Sequence, residues 1–124
     1  MDDYSQKNMN YLMKNKSEVQ HHLISLIESL KNKRKNVRYI RYNNAREHEP
    51  WKKYCEEKGI TLEMTAPNTP QHNGVVEQSF ETDLNCIQAM LYQANFTTEM
   101  ATKLWGMAVL YLQYTRNMSS SVTN

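Results

Sequence analysis

Apolar positions along the chain form short alternating runs and longer runs at helical spacing, and the two kinds succeed one another. Met9, Tyr11 and Met13 alternate with Asn10, Leu12 and Lys14, which predicts a short strand after a polar turn. Ser17 and Gln20 then stand at capping-box spacing, where hydroxyl and side-chain amide can satisfy two open backbone N–H groups. The helix opened there carries Val19, Leu23, Ile27 and Leu30 on one stripe and ends near Asn32 in a lysine-rich turn. Val37 to Arg41 predicts a second strand, closing at Tyr42-Asn43-Asn44. Pro50 suits the first turn of a short helix with Trp51, Tyr54 and Cys55 inward, and Gly59 is placed as its C-cap. Ile60, Leu62 and Met64 alternate as a third strand, and Pro67 and Pro70 hold the next segment out of regular structure. From Val75 a long helix turns Val76, Phe80, Leu84, Ile87 and Leu91 inward. A last helix, from Thr97 or Thr98, carries Leu104, Trp105, Ala108, Val109 and Leu112.

The expected order is β-α-β-α-β-α-α, an α/β fold with helices packed on a sheet. No repeat or low-complexity tract interrupts it, and 124 residues fit a single domain spanning 1–124. Hydrophobic residues at 40% supply a modest core. A chain of this length buries only about two-thirds of its unfolded surface, so each missing element weakens it.

Net charge, +2, says little about partners, but its distribution says more. Lys14, Lys16, Lys31, Lys33, Arg34, Lys35, Arg38, Arg41 and Arg46 are opposed over that stretch only by Glu18 and Glu28. A basic half of this kind can face phosphates, or can be a solvated helix end with its turn. Cys55 and Cys86 stand apart, with no CxxC and no histidine pair at zinc spacing, which fits reduced structural thiols inside a cell. His21 and His22 are adjacent and leave a helix in different directions, as solvent-exposed rings do. No apolar run reaches membrane-spanning length and Asp2-Asp3-Tyr4 does not open a signal peptide, so the expected location is the nucleus or cytoplasm, with no membrane partner.

Five local sequences, in order, carry a resemblance. They are Asp2-Asp3-Tyr4-Ser5, Lys16-Ser17-Glu18-Val19, Tyr39-Ile40-Arg41-Tyr42-Asn43-Asn44, the run from Thr65-Ala66-Pro67 to Glu77, and Leu104-Trp105. Together they resemble the integrase catalytic core of Ty1/copia-type retrotransposons, in the retroviral integrase, ribonuclease H-like superfamily. The resemblance implies a ribonuclease H-like fold and a polynucleotidyl transferase that joins element ends to target DNA. Such chemistry uses two Mg²⁺ ions roughly 3.5–4 Å apart, clamping the attacking and leaving oxygens of an in-line displacement. Hard cations call for several carboxylates from different elements. The family supplies two aspartates and a glutamate, and Glu77 matches the glutamate. A first-turn glutamate is also what the helix dipole favours in any protein. Gln71, His72 and Asn73 match the loop that touches DNA near the site, where amides can contact phosphates and bases.

Three departures accompany the match. Where the family reads Arg-x-Asp-Asn, this chain reads Arg41-Tyr42-Asn43-Asn44, so Asn43 replaces the second aspartate and brings no negative charge to a metal pair. The first aspartate and its strand are expected upstream of Asp2-Asp3-Tyr4-Ser5, as is a His/Cys zinc domain. The chain therefore reads as a partial core lacking its first two strands, with three remaining. The strands near Met9–Met13 and Val37–Arg41 would then have open edges, leading to direct re-pairing, association with another chain, or poor folding. Lastly, Gln78, Ser79, Glu81 and Asp83 follow Glu77 where relatives carry basic residues, which weakens phosphate binding. The expectation is an integrase-core remnant, inactive as this chain, with Mg²⁺ not bound tightly. The alternatives are a DNA-binding or self-association module, with Lys33, Arg34 and Lys35 as phosphate contacts, and a nuclease combining Glu47 or Glu49 with Glu77.

Overall fold

A computed structural model describes residues 1–43, 49–65 and 74–119. Its elements are a 3-10 turn at Lys16–Glu18, α1 (Val19–Asn32), β1 (Tyr39–Tyr42), α2 (Glu49–Glu57), β2 (Thr61–Met64), α3 (Gly74–Gln93) and α4 (Thr98–Met118). The protein is thus α/β, with four helices and a two-stranded parallel sheet among the described residues. It forms two compact units, Met13–Asn73 and Met1–Leu12 with Gly74–Asn124.

In the unit of residues 13–73, β1 and β2 pair in parallel, Tyr39 opposite Thr61 and Tyr42 opposite Met64. Parallel neighbours need a crossover, and α2 supplies it. Trp51 and Cys55, one helical turn apart on α2, are buried with Ile27 of α1 and Ile60 at the entry to β2. Leu23, Val37, Ile40, Tyr42 and Leu62 close around them. Tyr42 meets Trp51 edge-to-face, with centroids 5.2 Å apart, the arrangement the aromatic quadrupole favours.

Both helices of this unit end in the same device. After α2 the N–H of Gly59 (φ +71°) donates to Glu56 O and that of Ile60 to Cys55 O. After α1 the N–H of Arg34 (φ +58°) donates to Lys31 O and that of Lys35 to Leu30 O. These are Schellman closures, which require one left-handed residue and satisfy carbonyls the helix leaves open. Glycine takes that conformation freely; arginine takes it against its Cβ.

The entry to α1 differs from expectation. The 3-10 turn places Ser17 inside the turn, and Asn15 closes it: the Asn15 N–H donates to the Glu18 carboxylate at 3.2 Å. The reciprocal cap therefore begins two residues before Ser17.

In the other unit, α3 and α4 form a hairpin. Asn95 (φ +54°) ends α3, and the Thr97 side chain accepts from Met100 N to start α4. Ile87 and Leu112 are buried, and so is Asp83, which pairs with Arg116. The strand expected at Met9–Met13 does not form. Its segment is irregular, and side chains of α4 take the place of a neighbouring strand. Asn8 N donates to Asn117 Oδ1 at 3.1 Å, Asn117 Nδ2 donates back to Asn8 O at 2.7 Å, and Asn10 N donates to the Gln113 side chain. The spacings match, since two residues of extended chain advance about 6.8 Å and four residues of helix about 6 Å. Gly106 lets Leu12 close on the helix; a Cβ there would stand 2.9 Å from Leu12 Cδ1.

Candidate functional site

Asn43 follows the last residue of β1 and is exposed. Tyr42 O, just before it, accepts from Thr65 N at 3.0 Å and from Thr65 Oγ1 at 3.1 Å. The two strands are thus tied at their carboxyl ends, with Asn43 just beyond β1. In open α/β sheets ligands bind outside the carboxyl ends of parallel strands, and Asn43 stands at that end of β1. It offers an amide oxygen, a neutral donor.

Glu77 stands in the first turn of α3 and is exposed. Open N–H groups at that helix end favour its negative charge. Asn43 and Glu77 fall in different units, so the structure describes each in its own surroundings. Gln71, His72 and Asn73 lie outside the described residues, as do Glu47 and the side chain of Glu49.

Lys33, Arg34 and Lys35 are all exposed and make up the Schellman turn after α1. Their backbone N–H groups close the helix, and their side chains are exposed. Cations at a helix C-terminus are favoured by the dipole, which accounts for part of the cluster without any ligand. Arg41 contributes less positive charge than its place in the sequence implied, because it pairs at 3.3 Å with Glu63, its register partner on β2.

The face after Glu77 is not the acidic strip its sequence implies. Asp83 is buried and paired with Arg116, and Ser79 Oγ accepts from Asn8 Nδ2 at 3.0 Å. Neither belongs to an exposed acidic strip; Gln78 and Glu81 remain exposed. The pairing spans 33 positions, so no local pattern announced it.

A second pair was also invisible in the sequence. Tyr54 on α2 donates its hydroxyl proton to Glu28 of α1. That bond holds the Glu28 carboxyl below its usual range, helped by nearby Lys58 and Lys31 against the opposing effect of burial. It also pushes the Tyr54 phenol up to about 12. Burial raises the Cys55 thiol, which keeps it protonated and unreactive. Among the described residues no three His, Cys, Asp or Glu side chains converge as a metal site, and no helix is long and apolar enough to cross a membrane.

Against known proteins, the chain is 34% identical over 130 residues to the retrovirus-related Pol polyprotein from transposon TNT 1-94 of Nicotiana tabacum. The match covers 98% of this chain and 9% of that polyprotein. No family model and no solved structure matches it.

Proposed function

We propose that this retrotransposon Pol-derived chain is a piece of a Ty1/copia-type integrase core, a DNA-joining polynucleotidyl transferase by descent that is inactive as these 124 residues. The observation that carries it is the similarity of 98% of this chain to a 9% stretch of a Pol polyprotein, joined to Pro70-Gln71-His72-Asn73-Gly74-Val75-Val76-Glu77 leading into α3. The β1-α2-β2 crossover, with Asn43 beyond β1 and Glu77 at the head of α3, is compatible with part of a ribonuclease H-like fold. In this reading the chain derives from a core domain whose family acts on element ends and target DNA, and its own place is the nucleus or cytoplasm.

The donor set does not fit a two-Mg²⁺ site. One carboxylate, Glu77, and one amide, Asn43, bring a single negative charge where two divalent ions need several. No catalytic step follows from these residues, and Asn43→Asp alone should restore none. The expected result with purified chain, Mg²⁺ and labelled duplex is no nicking or strand transfer. Metal-dependent cleavage that Glu77→Ala abolishes would overturn the reading.

A second reading, a DNA-binding module, rests on the exposed turn of Lys33, Arg34 and Lys35. Three phosphate contacts there would give log affinity against log salt a slope of about −2.7. Replacing all three by alanine should remove that slope; a slope left unchanged would exclude the turn as the contact.

A further inference from the structure

Gln113 and Asn117 stand one turn apart on the same side of α4, and both of their carboxamides bond to main chain. Asn117 Oδ1 accepts from Asn8 N at 3.1 Å, and Asn117 Nδ2 donates to Asn8 O at 2.7 Å. These are the two groups that a residue of an antiparallel ladder exchanges with its partner. A carboxamide has the donor and the acceptor of a peptide group, so Asn117 can stand in for that partner. Gln113 does half of the same two residues along, accepting from Asn10 N.

Main chain and side chains have separate parts in this contact. The bonds to α4 need only an N–H and a carbonyl, which any residue but proline offers. Side chains matter at two points. Asn8 Nδ2 donates to Ser79 Oγ of α3 at 3.0 Å, and Leu12 closes on Gly106, where a Cβ would stand 2.9 Å from Leu12 Cδ1. Main-chain bonds that hold, with spaced side chains that select, are the terms on which sheet edges take extended peptides. Here two helices supply them.

We propose that the α3–α4 hairpin carries a binding site for extended polypeptide of the pattern Asn-x-x-x-Leu, with residues 8–12 as its releasable occupant. Each hydrogen bond shifts the opening equilibrium by a net factor of only about five. The segment can therefore open locally while α3 and α4 keep the Asp83–Arg116 pair and the buried Ile87 and Leu112. Once open, Ser79, Gly106, Gln113 and Asn117 take another segment of the same pattern. Neither Asn43 nor Glu77 has a part in this, so the site stands apart from the DNA-joining reading.

Proline tells main-chain recognition from side-chain recognition, because it keeps an extended backbone and lacks the N–H. In the full chain, Asn10→Pro should speed hydrogen exchange at the Asn8 amide about five-fold or more, and Asn10→Ala less than about two-fold. Amides of α3 and α4 should exchange equally in both. A synthetic peptide of residues 6–13 is then added, at on the order of 1 mM, to the chain carrying Asn10→Pro and Leu12→Ala. It should shift the side-chain amide resonances of Gln113 and Asn117, and the same peptide with Asn10→Pro should not. Equal exchange in the two Asn10 variants, loss of α3 and α4 protection along with the segment, or no shift by the unaltered peptide would each overturn the proposal.

Discussion

Removing either partner of the Asp83–Arg116 pair breaks the same contact, yet the two removals should differ in cost. The Asp83 side chain is 13% exposed and that of Arg116 40%. Arg116→Leu strands a carboxylate where water barely reaches it, and unpaired buried charge is the expensive outcome. Loss of a fully buried pair's partner costs about 3–5 kcal/mol, and the remaining hydration of Asp83 brings the figure to about 2–3 kcal/mol. Asp83→Leu leaves a guanidinium that can swing into water, and places an apolar side chain on the buried face shared with Ile87. Its cost should stay within about 1 kcal/mol. The double replacement leaves no stranded charge and should also cost about 1 kcal/mol, giving a coupling of about 2 kcal/mol. Urea unfolding followed by circular dichroism, with Trp105 fluorescence reporting on α4, measures all three. At a slope of about 1 kcal/mol per molar urea, Arg116→Leu should lower the midpoint by about 2–3 M. If Asp83→Leu proves as costly as Arg116→Leu, desolvation does not govern this pair and the reasoning fails.

The two Schellman closures set up a paired comparison. Arg34→Gly should stabilise the unit of residues 13–73 by about 0.5–1 kcal/mol, since arginine holds φ +58° against its Cβ. Gly59→Ala should destabilise by about 1 kcal/mol through backbone strain alone, because nothing stands within 4 Å of the added Cβ. Chemical denaturation read by Trp51 fluorescence in a Trp105→Phe background checks both, and a destabilising Arg34→Gly contradicts the account. The Tyr54–Glu28 bond predicts a pH signature with two edges. The phenol is raised from 10.0 to about 12, so its contribution is complete below about pH 10 and lost as pH rises toward about 12. The Glu28 carboxyl is lowered, so its contribution is present above the ordinary carboxylate range and lost as pH falls through the folded value. Tyr54→Phe should flatten both edges of the stability profile; unchanged edges would assign them to other groups.

Most elements were legible because their apolar spacing is undiluted. Trp51 and Cys55 in α2, with Gly59 behind them, sit as the pattern implied, and α3 and α4 begin within a residue of expectation. The segment around Met9 departs from its alternating pattern for a physical reason. Alternation specifies an extended backbone but not the partner for its hydrogen bonds, and here helix amides serve in place of a strand. The left-handed Arg34 carried no glycine or asparagine to mark it. Of the candidate site, Asn43 and Glu77 could be placed on their elements from sequence. The burial of Asp83 depends on a partner far along the chain, and periodicity on a single helix cannot supply that.

The amide clasp between Asn8 and Asn117 joins positions 109 residues apart. One compact unit is thereby built from residues 1–12 and 74–124, with residues 13–73 inserted between them. On a ribosome the inserted unit emerges whole while the clasp still lacks α4. Folding the insert first shortens the loop that closure must span and lowers its entropic cost. The order of assembly is therefore written into the connectivity: residues 13–73 first, the segments that flank them afterwards. Without α4, Asn8 and Asn10 lack their Asn117 and Gln113 partners and keep the contact of Asn8 with Ser79 on α3.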